Sequence, residues 1–271
     1  NIMKRILIAL AVLLSVQVAD AQTKSPEAAR KAVESAEAAS KDAKKATKVA
    51  TWMKLASSYM DAYNAPSGSV WLGASKAELQ LIMGNDKPIS TEAVVLGGDE
   101  LIKETYSNKE FYFSPAGQLV LINVTQPVVE DALGGALEAY KKAYEVDVKQ
   151  SKTKDIVTGL SIVAQKYLDE GMNSYTFGDL VKASQLFEKA VETSATAPLS
   201  KVDTTALYNA GYTAWAVKDY ERAKNFFEKC LAAEYYYEGG EVYAKLGDVY
   251  TNLGDAKKGA EILEQGFVKF P

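Results

Sequence analysis

The chain has 271 residues, 31 basic and 35 acidic side chains, no histidine and one cysteine. Those counts exclude a Ser-His-Asp or Cys-His nucleophile system, an intrachain disulfide and a His/Cys zinc site, since each needs residues the chain lacks. A formal charge of -4 argues against a general nucleic-acid binder, which needs clustered positive charge to displace counterions. At this length one large domain or two small ones are expected.

Residues 3–21 have the three-part form of a secretory signal. Met3-Lys4-Arg5 is basic, Ile6 to Leu14 is apolar, and Ala19-Asp20-Ala21 offers the small residues a signal peptidase reads. Cleavage after Ala21 is expected, which implies a periplasmic or secreted protein. No cysteine stands near the cut, so no lipid anchor is expected. After the signal no run is apolar for long enough to span a bilayer. Cys230 is then expected to be buried, unreactive or intermolecular.

Ser25-Pro26-Glu27 is a helix start: a hydroxyl cap, proline in the first turn and a negative charge at the positive end of the dipole. Residues 22–48 read as a polar helical spacer, with Lys41 to Lys48 as a solvated basic face. From Val49 the apolar spacing tightens, and Val49, Trp52, Ala56, Tyr59 and Tyr63 share one helix face. Residues 64–130 lose that periodicity. A helix over Ser75 to Met83 stopped by Gly84 is predicted, followed by strands over Glu110 to Ser114 and Gln118 to Thr125. Ser114-Pro115-Ala116-Gly117 has type I turn chemistry and makes those strands a hairpin. Leu119 to Ile122 is apolar at every position, which predicts a strand covered on both faces. Gly97-Gly98-Asp99-Glu100 reads as a turn, because the context of a phosphate-binding loop is missing. Beyond Glu130 the pattern is helical throughout, with breaks near Ser194 to Thr204 and Glu238 to Gly240.

The carboxy-terminal stretch repeats itself. Tyr167 … Gly171 … Gly178-Asp179 … Ala183 … Phe187 … Ala190 is followed by Ala210-Gly211 … Tyr220 … Ala223 … Phe227 … Cys230. A third copy reads Leu246-Gly247 … Tyr250 … Gly254-Asp255 … Gly259 … Leu263 … Gly266 … Pro271. This spacing resembles the tetratricopeptide repeat, in which small residues let two antiparallel helices approach and large ones plug the gap. Trp52-x2-Leu55-Ala56-x2-Tyr59 matches the first helix of a further repeat, and Ala136-x3-Tyr140-x2-Ala143-x3-Asp147 matches its displaced second helix. The expected architecture is therefore mainly α: a tetratricopeptide solenoid of three full repeats over 153–271. It includes a split first repeat (49–63 and 131–148) and a small α+β insertion with a β-hairpin over 64–130. The plainer alternative for the split repeat is two amphipathic helices. In the insertion, Val70-Trp71-Leu72-Gly73-Ala74-Ser75-x2-Glu78-Leu79 and the later hairpin are similar to SmpA/OmlA-type envelope lipoproteins. An unrelated α+β module is the alternative.

The tetratricopeptide resemblance implies a non-catalytic scaffold that binds a peptide or helix along its first helices. The groove positions map to Leu168, Met172, Tyr175 and Thr176, then Tyr208, Tyr212, Trp215 and Ala216, then Ala244, Asp248, Thr251 and Asn252. Tyr212 and Trp215 are expected to be exposed there. A carboxylate clamp is matched in part by Asn209 and Lys245, but Leu168, Met172 and Glu241 depart from it, so a chaperone-tail clamp is not expected. Tyr235-Tyr236-Tyr237 is read as inter-repeat packing in preference to an exposed patch. No catalytic residue, metal ligand or cofactor site is predicted. The expected partner is a protein or peptide of the bacterial cell envelope, with no nucleic acid and no membrane span in the mature chain. An uncapped last repeat implies either self-association or truncation at Pro271. The competing functions are an enzyme accessory or glycan- or ligand-binding activity in 64–130, and a structural subunit of an envelope complex.

Overall fold

The computed structural model describes residues 23–271, so the signal-like segment lies outside the described residues. Two compact units divide them, one over residues 23–163 and one over 164–271.

The first unit opens with α1 (Pro26–Lys41), capped by Ser25, whose hydroxyl accepts from the Ala28 amide at 3.2 Å. The expected solvated spacer is in fact a packed helix: Ala29, Val33 and Ala36 are buried. Ala29 and Val33 cluster with Ala62, Ala65 and Val128, so α1 lies against α2 (Val49–Asn64). The basic stretch is not a helix face either, because the chain turns between the two helices. There Asp42 accepts from the Lys44 and Lys45 amides at 3.0 and 2.9 Å. The Trp52 indole donates to the Ala46 carbonyl at 2.8 Å and closes this turn.

Helix α3 (Lys76–Met83) has a reciprocal capping box between Ser75 and Glu78, and Gly84 ends it at a φ of 56°. Four strands follow, β1 (Ser90–Leu96), β2 (Asp99–Thr105), β3 (Lys109–Phe113) and β4 (Leu119–Val124), paired antiparallel in sequence order. The sheet is thus a meander whose second half is the expected hairpin. Its turn has the Gly117 amide on the Ser114 carbonyl at 2.8 Å. On one face Phe111, Phe113 and Leu119 pack with Ala74, Leu79 and Tyr106. Leu119 pairs with Phe113 and Leu121 with Tyr112, so Val120 is an extra residue in the ladder. This bulge corrects the reading of a strand uniformly covered on both sides. Leu119 and Ile122 face α3, Leu121 is buried beside Tyr112, and Val120 is exposed.

After the sheet the chain returns to helix in α4 (Ala132–Val146), capped by Asp131, and α4 packs on α2. A Cβ at Gly135 would stand 2.6 Å from the Tyr59 ring, so glycine is what lets these two helices approach. Asp147, in the loop beyond, accepts from the Ser151 amide and hydroxyl and the Lys152 amide. The following helix, α5 (Thr153–Thr176), contains the division between the two units.

The second unit holds the rest of α5, α6 (Leu180–Ala195), α7 (Thr204–Ala216), α8 (Tyr220–Ala232), α9 (Glu241–Asn252) and α10 (Ala256–Lys269). One joint is built three times here. Gly171 faces Phe187, Gly211 faces Phe227 and Gly247 faces Leu263, each sixteen residues on, and a Cβ at any of them would stand under 3.0 Å from the plug. Between the helices of each pair one residue takes a positive φ: Gly178 at 82°, Lys218 at 63° and Gly254 at 91°. The next residue, Asp179, Asp219 or Asp255, caps the second helix through the amide three positions on. Backbone bonds repeat with it. The amides of Asp179, Asp219 and Asp255 reach back five residues to Ser174, Ala214 and Tyr250, which closes each first helix with the same Schellman turn. Arg222 ties α8 to α6 through Ser184 and Glu188.

Candidate functional site: the first-helix face of residues 164–271

The expected groove residues come together on α7, α9 and the end of α5, but in two layers. Tyr175, Tyr208, Asn209 and Tyr212 are buried. Tyr212 meets Tyr175 edge-on at 6.5 Å, Tyr208 at 6.2 Å and Trp215 at 5.8 Å. The expectation of an exposed Tyr212 is therefore corrected: at 8% exposure it is a wall and floor residue between helices. Tyr208 lies deeper. Tyr237 stacks on it at 4.1 Å and Tyr235 meets its edge at 6.3 Å, so the Tyr235-Tyr236-Tyr237 run folds over α7 as inter-repeat packing. Tyr236 completes that packing by stacking on Tyr243 at 5.7 Å.

Burial, reinforced by the Tyr212 hydroxyl, pushes the Tyr175 phenol up to about 12. The same cause, with Glu241 beside it, drives Tyr208 well above the ordinary tyrosine range. These phenols stay neutral at physiological pH and act as hydrogen-bonding apolar surface. Met172, half-buried, receives the Asn209 amide at 3.8 Å on its sulfur.

The outer layer is polar. Trp215 is half-buried, and its indole N–H donates to Asp248 at 2.6 Å. The Lys245 ammonium lies 3.6 Å from the Trp215 ring centroid, 5.6 Å from that of Tyr212 and 3.7 Å from Glu241. Asp248, Thr251 and Asn252 are exposed. Thr251 serves the helix joint, since its hydroxyl donates to the Gly247 carbonyl and sits against Gly259. Glu241 enters the site as the partner of both Lys245 and Tyr208. The signal for it was present, because 241, 245 and 248 fall on one helical stripe.

Elsewhere the first unit has a cleft of about 340 Å³ lined by residues including Lys24, Ser69, Val70, Met83 and Lys109. Lys109 is buried there, with its ammonium 2.7 Å from Asp86 and over the rings of Tyr106 and Phe111. Among the described residues no helix is long and apolar enough to cross a membrane. Cys230 is buried, and desolvation lifts its thiol to about 12, which leaves it inert.

With this geometry in view, residues 204–236 and 240–267 match the family model for the tetratricopeptide repeat. The match covers the pairs α7–α8 and α9–α10. Helical repeats with a β insertion are the fold class, and tetratricopeptide repeats generally mediate protein–protein interaction and are typically non-catalytic. No curated protein matches the chain. A solved structure described as the crystal structure of BtubC (BKLC) from P. vanneervenii is 15% identical. It aligns over 89% of this chain and 88% of that one with a TM-score of 0.29, a likeness too low to carry any argument.

Proposed function

We propose that the chain is a non-catalytic protein-binding scaffold of the bacterial cell envelope, exported by residues 3–21 and holding a partner peptide or helix on its first-helix face. α2 and α4 form a split first repeat in this reading. The supporting observation is the layered face itself: a buried tyrosine floor under a half-buried Trp215, with Ala244, Asp248 and Asn252 open above it. Such a surface, apolar below and wet above, suits recognition of an extended or helical segment.

A photo-crosslinker at position 244 or 248, activated in a bacterial envelope extract, is expected to capture a partner by its face. Capture should fall with Trp215→Ala and survive deletion of 66–128. Equal capture from a crosslinker on the outer side of α8 would sink the groove reading. Self-association is the second part of the proposal, supported by Phe267 and Val268, which are 74% and 80% exposed on α10. A concentration-independent monomer mass by light scattering would dismiss it. Ligand binding by the 64–130 module is the competing reading, and the cleft beside Lys109 is the observation in its favour.

A further inference from the structure

Resting on the groove reading above, we infer that the first-helix face of residues 164–271 takes a cationic segment: a peptide or helix that places lysine or arginine beside Trp215 and Asp248. The charges on that face carry the inference. α7 has no charged residue along its whole length. α9 contributes Glu241 and Asp248 against a single cation, Lys245. Two carboxylates of α9 thus stand against one ammonium.

That ammonium is already committed. Lys245 lies on the Trp215 face with Glu241 at its other side, the arrangement in which an aromatic ring and a carboxylate share a cation. An acidic partner would have to share Lys245 with Glu241 and the Trp215 ring. A negatively charged group beside Trp215 would also approach a ring whose quadrupole repels it. A basic partner meets no such cost. Asp248 is exposed, and the Trp215 indole engages one of its carboxylate oxygens, which leaves the carboxylate able to accept a charged donor from solvent. Lys245 itself shows that the ring-and-carboxylate arrangement holds an ammonium, and an incoming side chain either shares that arrangement at Asp248 or displaces Lys245 from it. Recognition would then run opposite in sign to a carboxylate clamp.

The test is selection from a displayed library of random peptides about a dozen residues long, panned on the full chain and on single variants of retained helicity. Sequences selected by the wild type are expected to be enriched in lysine and arginine. Asp248→Asn keeps an acceptor for the Trp215 indole and removes the charge, and should weaken those peptides about two- to fivefold, the range of an exposed ion pair. Asp248→Lys should reverse the selected charge. Ala244→Trp, a steric block at an exposed position, should abolish selection on this face. Acidic peptides from the wild type, or a selected charge indifferent to both Asp248 variants while Ala244→Trp still blocks, would overturn the cationic inference and leave the groove standing. Selection that survives Ala244→Trp unchanged would overturn the groove reading and this inference with it.

Discussion

In residues 164–271 the small residue stands on the first helix of each pair and the plug on the second, as Gly211 stands under Phe227. Between α2 and α4 the roles are exchanged, with Tyr59 on the first helix lying over Gly135 on the second. Both arrangements solve one problem. Two helices can approach closely only where a large side chain meets a missing one, and the physics does not care which helix carries which. What differs is legibility. The three repeat joints keep a fixed spacing along the chain, whereas Tyr59 and Gly135 are separated by the whole sheet module.

The largest effect that would sharpen this comparison comes from the plugs. Phe227→Ala empties a fully buried site and is expected to cost about 3–5 kcal/mol in urea unfolding of the helical signal. Tyr59→Ala should cost less, because that ring is only half-buried and its hydroxyl is bound to Glu37 at the rim. A larger loss at Tyr59 would reverse the ranking and make α2–α4 the tighter joint. The sockets come next. Gly211→Val and Gly135→Val both force a side chain into an aromatic ring and should each cost about 2 kcal/mol. If either is neutral, the glycine there is not what sets the helix approach.

The repeat joints were readable because their determinants are local: a glycine, a plug sixteen residues on, and a left-handed residue before an aspartate. The candidate site was readable as a set of positions and unreadable as a surface. Tyr208 is covered because residues 235–240 turn back over α7, and that turn depends on positive φ values at Tyr237, Gly239 and Gly240 and on a ring stack across 29 positions of chain. No local pattern at Tyr208 announces it. β1 and β2 were missed for another reason. β1 is an edge strand exposed over most of its length, and β2 carries charges at alternate and adjacent positions, so neither shows period-two apolarity. α1 buries alanines and a single valine, which composition scores as a polar helix.

The caps test whether the three joints are equivalent. Asp219→Ala removes the acceptor for the Arg222 amide at the start of α8 and should cost about 1 kcal/mol in thermal or urea unfolding. Asp179→Ala and Asp255→Ala should match it, since each makes the same bond to the amide three residues on. An effect at one site alone would show that the joints share geometry without sharing energetics.

The smallest predicted effect isolates the one position where the joints differ. Gly178 and Gly254 adopt the left-handed conformation at no steric cost, but Lys218 holds a φ of 63° with a side chain attached. Its backbone is fixed by the same bonds as theirs: the Lys218 amide reaches the Trp215 carbonyl at 3.0 Å, and the Asp219 amide reaches Ala214 at 2.9 Å. The lysine side chain is exposed and, among the described residues, forms no hydrogen bond or ion pair that would offset the strain. Lys218→Gly should therefore stabilise the second unit by about 0.5 kcal/mol, the relief of the left-handed penalty less the extra freedom glycine gives the unfolded chain. Gly178→Lys and Gly254→Lys should each destabilise it by a similar amount, measured as opposite shifts of the unfolding midpoint. If Lys218→Gly destabilises instead, the lysine is contributing more through its exposed side chain than its backbone loses, and the second joint is held by something the other two lack.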